Sequence, residues 1–77
     1  MNYLVIEYCA IWNYLPHAAS LAEKIKSKFD LQIELKKSDG GRFEIFFNDE
    51  IIFSKYKEYR FPEFAEIEKK IKEKINQ

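Results

Sequence analysis

Tyr8-Cys9-Ala10-Ile11-Trp12-Asn13-Tyr14-Leu15-Pro16 holds the only cysteine and the only tryptophan of the chain. It joins a strand pattern to a helix pattern, so the fold turns on how it is read. Before it, residues 2–8 read as a strand in which Leu4-Val5-Ile6 is a continuous apolar run. Such a run predicts a central strand with cover on part of both faces. After it, residues 14–29 read as a helix. Ala18, Leu21, Ala22, Ile25 and Phe29 recur at spacings of three and four and form one apolar stripe. Asn13 is placed to cap the start of this helix, and Pro16 falls in its first turn, where N–H groups have no intrahelical partner. Lys26 and Lys28 sit near its end, where cations suit the helix dipole.

Residues 31–36 alternate, with Leu31, Ile33 and Leu35 on one side and Gln32, Glu34 and Lys36 on the other, which predicts a half-buried strand. Ser38-Asp39-Gly40-Gly41 is the one strong loop signal. Residues 42–48 form the next strand, with Phe43, Ile45 and Phe47 on one face. Asn48-Asp49 is a two-residue turn that tolerates positive φ, and it leads into Glu50-Ile51-Ile52-Phe53-Ser54 to close a hairpin. Pro62 fits the first position of a second helix, whose stripe is Phe64, Ile67, Ile71 and Ile75. Glu63 and Glu66 open that helix and Lys69, Lys70, Lys72 and Lys74 close it, complementing its dipole.

The order is β-α-β-β-β-α in one small domain spanning residues 1–77. A right-handed crossover makes the first two strands parallel, and the hairpin joins on the other side of strand one. The expected architecture is an α+β two-layer fold: a four-stranded mixed sheet of order 2-1-3-4 with both helices on one face. In this topology three loops, 9–13, 37–42 and 56–61, converge at one edge of the sheet. Carboxyl ends of strands are where open sheets hold ligands. The candidate site is therefore Cys9, Trp12, Tyr14, Asp39, Gly40, Gly41, Arg42, Tyr56, Lys57, Tyr59 and Arg60.

Thirteen basic residues balance thirteen acidic ones, so the chain lacks the basic surplus of a nucleic-acid binder. A hydrophobic fraction of 47% with 17% aromatics argues for a folded core. One cysteine cannot form an internal disulfide, which fits a reducing compartment; the cytoplasm is the expected location. No signal peptide or membrane-spanning segment is read from the sequence, and no membrane partner is expected. One cysteine and one histidine make no metal-ligand cluster, and no cofactor is implied.

Tyr8-Cys9, Tyr14, Ala18-Ala19 with Leu21, Gly40-Gly41 with Phe43 and Ile45, Ile51-Ile52-Phe53-Ser54-Lys55 and Arg60-Phe61-Pro62, in that order, resemble the selenoprotein W-like (Rdx) family. The resemblance runs from about residue 3 to residue 75. It implies a thioredoxin-like fold and a thiol redox protein, with glutathione or a protein thiol as partner. Family members carry Cys-X-X-Cys, or selenocysteine at the second position, in the first loop. Here Cys9 stands at the first redox position and Trp12 at the second. Tyr59 stands in a segment that often holds glycine.

Each candidate has two readings. Cys9 is either a single redox thiol, its thiolate favoured by Arg42, Lys57 or Arg60, or a small buried apolar residue on a redox-inactive fold. A dithiol cycle needs two thiols, and the chain has one. Trp12 either stacks on a ligand or covers the helix start. His17 is a candidate base for Cys9 or a solvated helix residue. Gly40-Gly41 is either an anion-binding turn or a plain crossing loop. The aromatic rim of Trp12, Tyr14, Tyr56 and Tyr59 makes a non-enzymatic protein-binding module the alternative function. Phe46, with Ile52 or a strand-one neighbour, is expected to form a patch on the uncovered sheet face that suits a homodimer.

Overall fold

The central strand, β1 (Tyr3–Cys9), pairs parallel with β2 (Gln32–Ser38) on one side and antiparallel with β3 (Phe43–Phe47) on the other. The computed structural model describes residues 2–76. β3 turns into β4 (Glu50–Ser54), which gives the sheet order β2-β1-β3-β4. Helix α1 (Leu15–Lys28) packs on β1 and β2, and the later helix (Phe64–Ile75) packs on β4 and α1. A one-turn helix the sequence did not announce, α2 (Lys55–Glu58), lies between them, so the later helix is α3. Four residues cannot display a 3.6-residue stripe, and none of these four is buried.

The core lies between the sheet and the two long helices. Leu4, Ile6 and Tyr8 of β1 meet Ala18, Leu21 and Ile25 of α1 and Ile67 and Ile71 of α3 there. Phe43, Ile45, Phe47 and Phe53 complete it from the hairpin. Each fully buried aliphatic or aromatic side chain contributes about 1.5–3 kcal/mol, so this layer holds the sheet to its helices. β1 is covered fully on one face and in part on the other. Its burial alternates, with Tyr3, Val5 and Glu7 only half-buried, because no helix lies over the second face.

Three local expectations are corrected. Asn13 does not cap α1: its φ of 59° is left-handed, whereas an N-cap needs extended backbone. Tyr14 takes the cap position without a side-chain bond. Pro62 does not open α3. Glu63 caps it, accepting from the N–H of Glu66 while Glu66 accepts from the N–H of Glu63, and that reciprocal box fixes the start at Phe64. Ile52 is buried rather than part of the open face. A bulge between Ile45 and Phe46 shifts the hairpin register, pairing Phe46 with Ile51, so the open-face apolar strip is Val5, Phe46 and Ile51. The Asn48-Asp49 turn is as expected, with φ of 49° and 71°.

Candidate functional site

β1 ends at Cys9, which is held from both sides. Its N–H donates to the Arg42 carbonyl at 2.8 Å, and the next N–H, of Ala10, donates to the Ser38 carbonyl at 3.1 Å. The chain then folds back on itself. Asn13 N–H donates to Ala10 at 3.1 Å, and Tyr14 N–H donates to the Cys9 carbonyl at 3.0 Å. The left-handed Asn13 closes this turn, the role that displaces it from capping. Inside the turn, the Trp12 N–H points at Cys9 Sγ at 3.4 Å, so the sulfur is an acceptor. Cys9 is fully buried.

Trp12 is the exposed member of the pair, 61% accessible. Its indole lies against Gly41, close enough that a Cβ on Gly41 would come within 2.7 Å of an indole carbon. Gly41 has φ of 72° and Gly40 φ of 71°, so the loop needs both glycines for their backbone and Gly41 for its missing side chain as well. Tyr56, from α2, donates its hydroxyl to the Gly40 carbonyl. Loops from three parts of the chain therefore meet at one place: Cys9 and Trp12, Gly40 and Gly41, and Tyr56.

Arg42 borders the same place but its charge is engaged on the open sheet face. Its guanidinium donates to Ser38 Oγ at 2.9 Å, stands 3.6 Å from Glu7 and 3.5 Å from Glu44, and lies over the Tyr56 ring at 5.9 Å. Ser38, Glu7 and Glu44 were not among the sequence candidates. The period-two pattern puts Glu7 and Glu44 on the face opposite the core, and this was the signal that could have found them.

None of the remaining candidates bonds to the Cys9 sulfur among the described residues. Arg60 forms a bidentate pair with Glu66 at 2.7 and 2.8 Å and lies over the Phe53 ring, so it anchors α3 instead. That guanidinium holds the Glu66 carboxyl below its ordinary value. Tyr59 ends α2 in a left-handed conformation (φ of 59°), with its side chain 88% exposed. Tyr14 turns its ring inward, 4.8 Å from Phe61 and 6.5 Å from Phe43; it meets the site through its backbone bond to Cys9 and an edge contact to Trp12 at 6.1 Å. His17 stacks on Phe61 at 3.9 Å, which accounts for it without any role as a base for Cys9. Asp39 and Lys57 are exposed. No three His, Cys, Asp or Glu side chains gather to hold a metal among the described residues. Nor is any helix among them long and apolar enough to cross a membrane.

A parallel β-α-β start, an antiparallel hairpin and a cysteine at the end of the first strand, before the turn into the first helix, define a small thioredoxin-like protein. Residues 3–73 match the Rdx family, and the chain belongs to it. Among solved structures it is similar to the selenoprotein W-related protein from Vibrio cholerae, at 28% identity, with 96% of each chain covered and a TM-score of 0.92. It is also similar to a protein from Bordetella parapertussis, at 27% identity, with 94% of this chain and 95% of that one covered and a TM-score of 0.90. No curated protein matches it significantly.

Proposed function

We propose that this chain is a redox protein that works through one thiol, Cys9, in exchange with glutathione disulfide or the disulfide of a partner protein. The observation that carries the reading is the Trp12 N–H aimed at Cys9 Sγ, in the turn between β1 and α1. In the forward step the Cys9 thiolate attacks one sulfur of R–S–S–R. A Cys9–S–S–R bond forms, and R–S⁻ leaves with the electron pair of the broken bond. The chain has no second cysteine, so an external thiolate resolves the mixed disulfide and releases Cys9 as a thiolate. Cys9 is buried, so the step requires the turn to open. Trp12 is the hinged part, since its indole rests on Gly41 and the edge of Tyr14 and is otherwise in solvent.

The test is incubation of the native protein with glutathione disulfide, followed by intact-mass measurement. One glutathione per chain, absent in Cys9→Ser and reversed by free glutathione, is the expected result. No adduct under native conditions sinks the reading.

A second reading has its own support. Ile11 and Trp12 are adjacent in the turn and 79% and 61% exposed. As a binding module without redox chemistry, the protein would seat these side chains in a partner's apolar surface. In that case Trp12→Ala abolishes partner binding while Cys9→Ser leaves it intact.

A further inference from the structure

The two edges of the sheet differ. Along β4, Lys70 Nζ donates to the Ile52 carbonyl at 2.6 Å and Lys74 pairs with Glu50, so α3 occupies that edge. β2 is the other edge. Its Gln32 N–H reaches the Asn2 carbonyl at 3.2 Å, and its Ser38 carbonyl takes the Ala10 N–H. Backbone direction alternates along a strand, so the even-numbered residues face β1. The N–H and C=O groups of Ile33, Leu35 and Lys37 then point out of the sheet, and no described residue bonds to them.

Charge on this strand is arranged about Leu35. Glu34 precedes it and Lys36 follows it, both exposed on the open face. Lys36 stands 3.7 Å from Glu7, while Glu34 makes no ion pair among the described residues. On the helix side, a groove lined by Ala19, Ala22, Glu23, Lys26, Ile33 and Leu35 runs beside the edge.

We infer that β2 pairs antiparallel with β2 of a second copy of this chain, about a two-fold axis at Leu35. The outward groups then all find partners. Leu35 bonds to the partner's Leu35, and Ile33 and Lys37 each bond to the other in the facing strand, for about six interchain backbone bonds. Glu34 lies directly opposite the partner's Lys36, and Lys36 opposite the partner's Glu34, at the positions where facing side chains come closest. Moving the axis one residue either way sets Glu34 against Glu34 or Lys36 against Lys36, which like-charge repulsion disfavours. The sequence therefore selects one register. The product is a continuous sheet across two copies, with both α1 helices on the same face and the alanine-lined grooves side by side.

Sedimentation equilibrium over a concentration series, joined to amide exchange, tests this. The expected result is a dimer in which the Ile33, Leu35 and Lys37 amides exchange more slowly as concentration rises. Glu34→Lys should weaken the dimer by roughly tenfold or more, and combining it with Lys36→Glu should restore it. Phe46→Glu, on the open face, should leave association unchanged. A monomer at every concentration overturns the inference. So do concentration-independent exchange of the three amides and failure of the charge swap to restore the dimer. A dimer lost in Phe46→Glu but kept in Glu34→Lys would place the contact on the open sheet face and overturn it as well.

Discussion

The chain passes from strand to helix at two junctions, and they are built in opposite ways. The second, from β4 through α2 to α3, is closed by side chains. Glu63 and Glu66 form a reciprocal cap, Arg60 clamps Glu66, and Phe61 lies edge-on to Tyr14 and Phe43 and flat on His17. The first, from β1 to α1, has no side-chain cap. Its turn is held by backbone bonds, a left-handed Asn13 and one N–H to a sulfur. The junction that carries the thiol is the lightly fixed one. Segments that must open for function come from the less stable parts of a fold, whereas capping and packing gather where rigidity is needed.

The largest effect should come from the closed junction. Phe61→Ala removes a half-buried ring that touches both junctions, and should cost about 2–4 kcal/mol by urea denaturation. A loss no greater than an exposed substitution gives would mean that Phe61 does not tie the junctions together. Gly41→Ala comes next. Its Cβ meets the Trp12 indole and its φ of 72° is strained for alanine, so a loss of about 1–2 kcal/mol is expected. Tryptophan fluorescence should shift in the same variant, because the indole must move.

Glu66→Gln keeps an acceptor for the Glu63 N–H but loses the charge pairing with Arg60, and should cost about 0.5–1 kcal/mol. It also carries a pH signature. Arg60 holds the Glu66 carboxyl below its ordinary value of 4.5. The stabilisation is therefore complete above that value and is lost as pH falls through the lower, folded-state value. The wild type should lose stability relative to the variant on acidification below about pH 4.5. Parallel stability curves would show that the ion pair contributes nothing. Trp12→Ala is the mildest for stability, within about 0.5 kcal/mol, because the side chain is mostly in solvent.

The sequence carried the architecture well where periodicity is strong. The two-residue alternation of Phe43, Ile45 and Phe47 and the stripe from Ala18 to Phe29 led to the observed sheet order and helix placement. It failed where a single backbone angle or a short turn decides. Asn13 reads as a cap by composition, but its left-handed φ depends on the turn that Cys9, Ala10 and Tyr14 close around it. The bulge that buries Ile52 comes from hairpin register, which an unbroken apolar run cannot display. At the site, topology alone brought Cys9, Trp12, Gly40, Gly41 and Arg42 to one edge. The pairing of Arg60 with Glu66, the left-handed Tyr59 at the end of α2, and the engagement of Arg42 by Glu7 and Glu44 all depend on local geometry that topology does not supply.

The proposed function requires Cys9 to be a usable thiol behind a movable Trp12. The direct measurement is the alkylation rate of Cys9 by iodoacetamide at fixed pH, in the wild type and in Trp12→Ala, each compared with its own global unfolding rate. The account predicts that wild-type Cys9 reacts faster than the chain unfolds, and that removing the indole raises the rate by about tenfold or more without a matching loss of stability. If both proteins react only as fast as they unfold, Cys9 is an inert core residue and the redox reading is wrong.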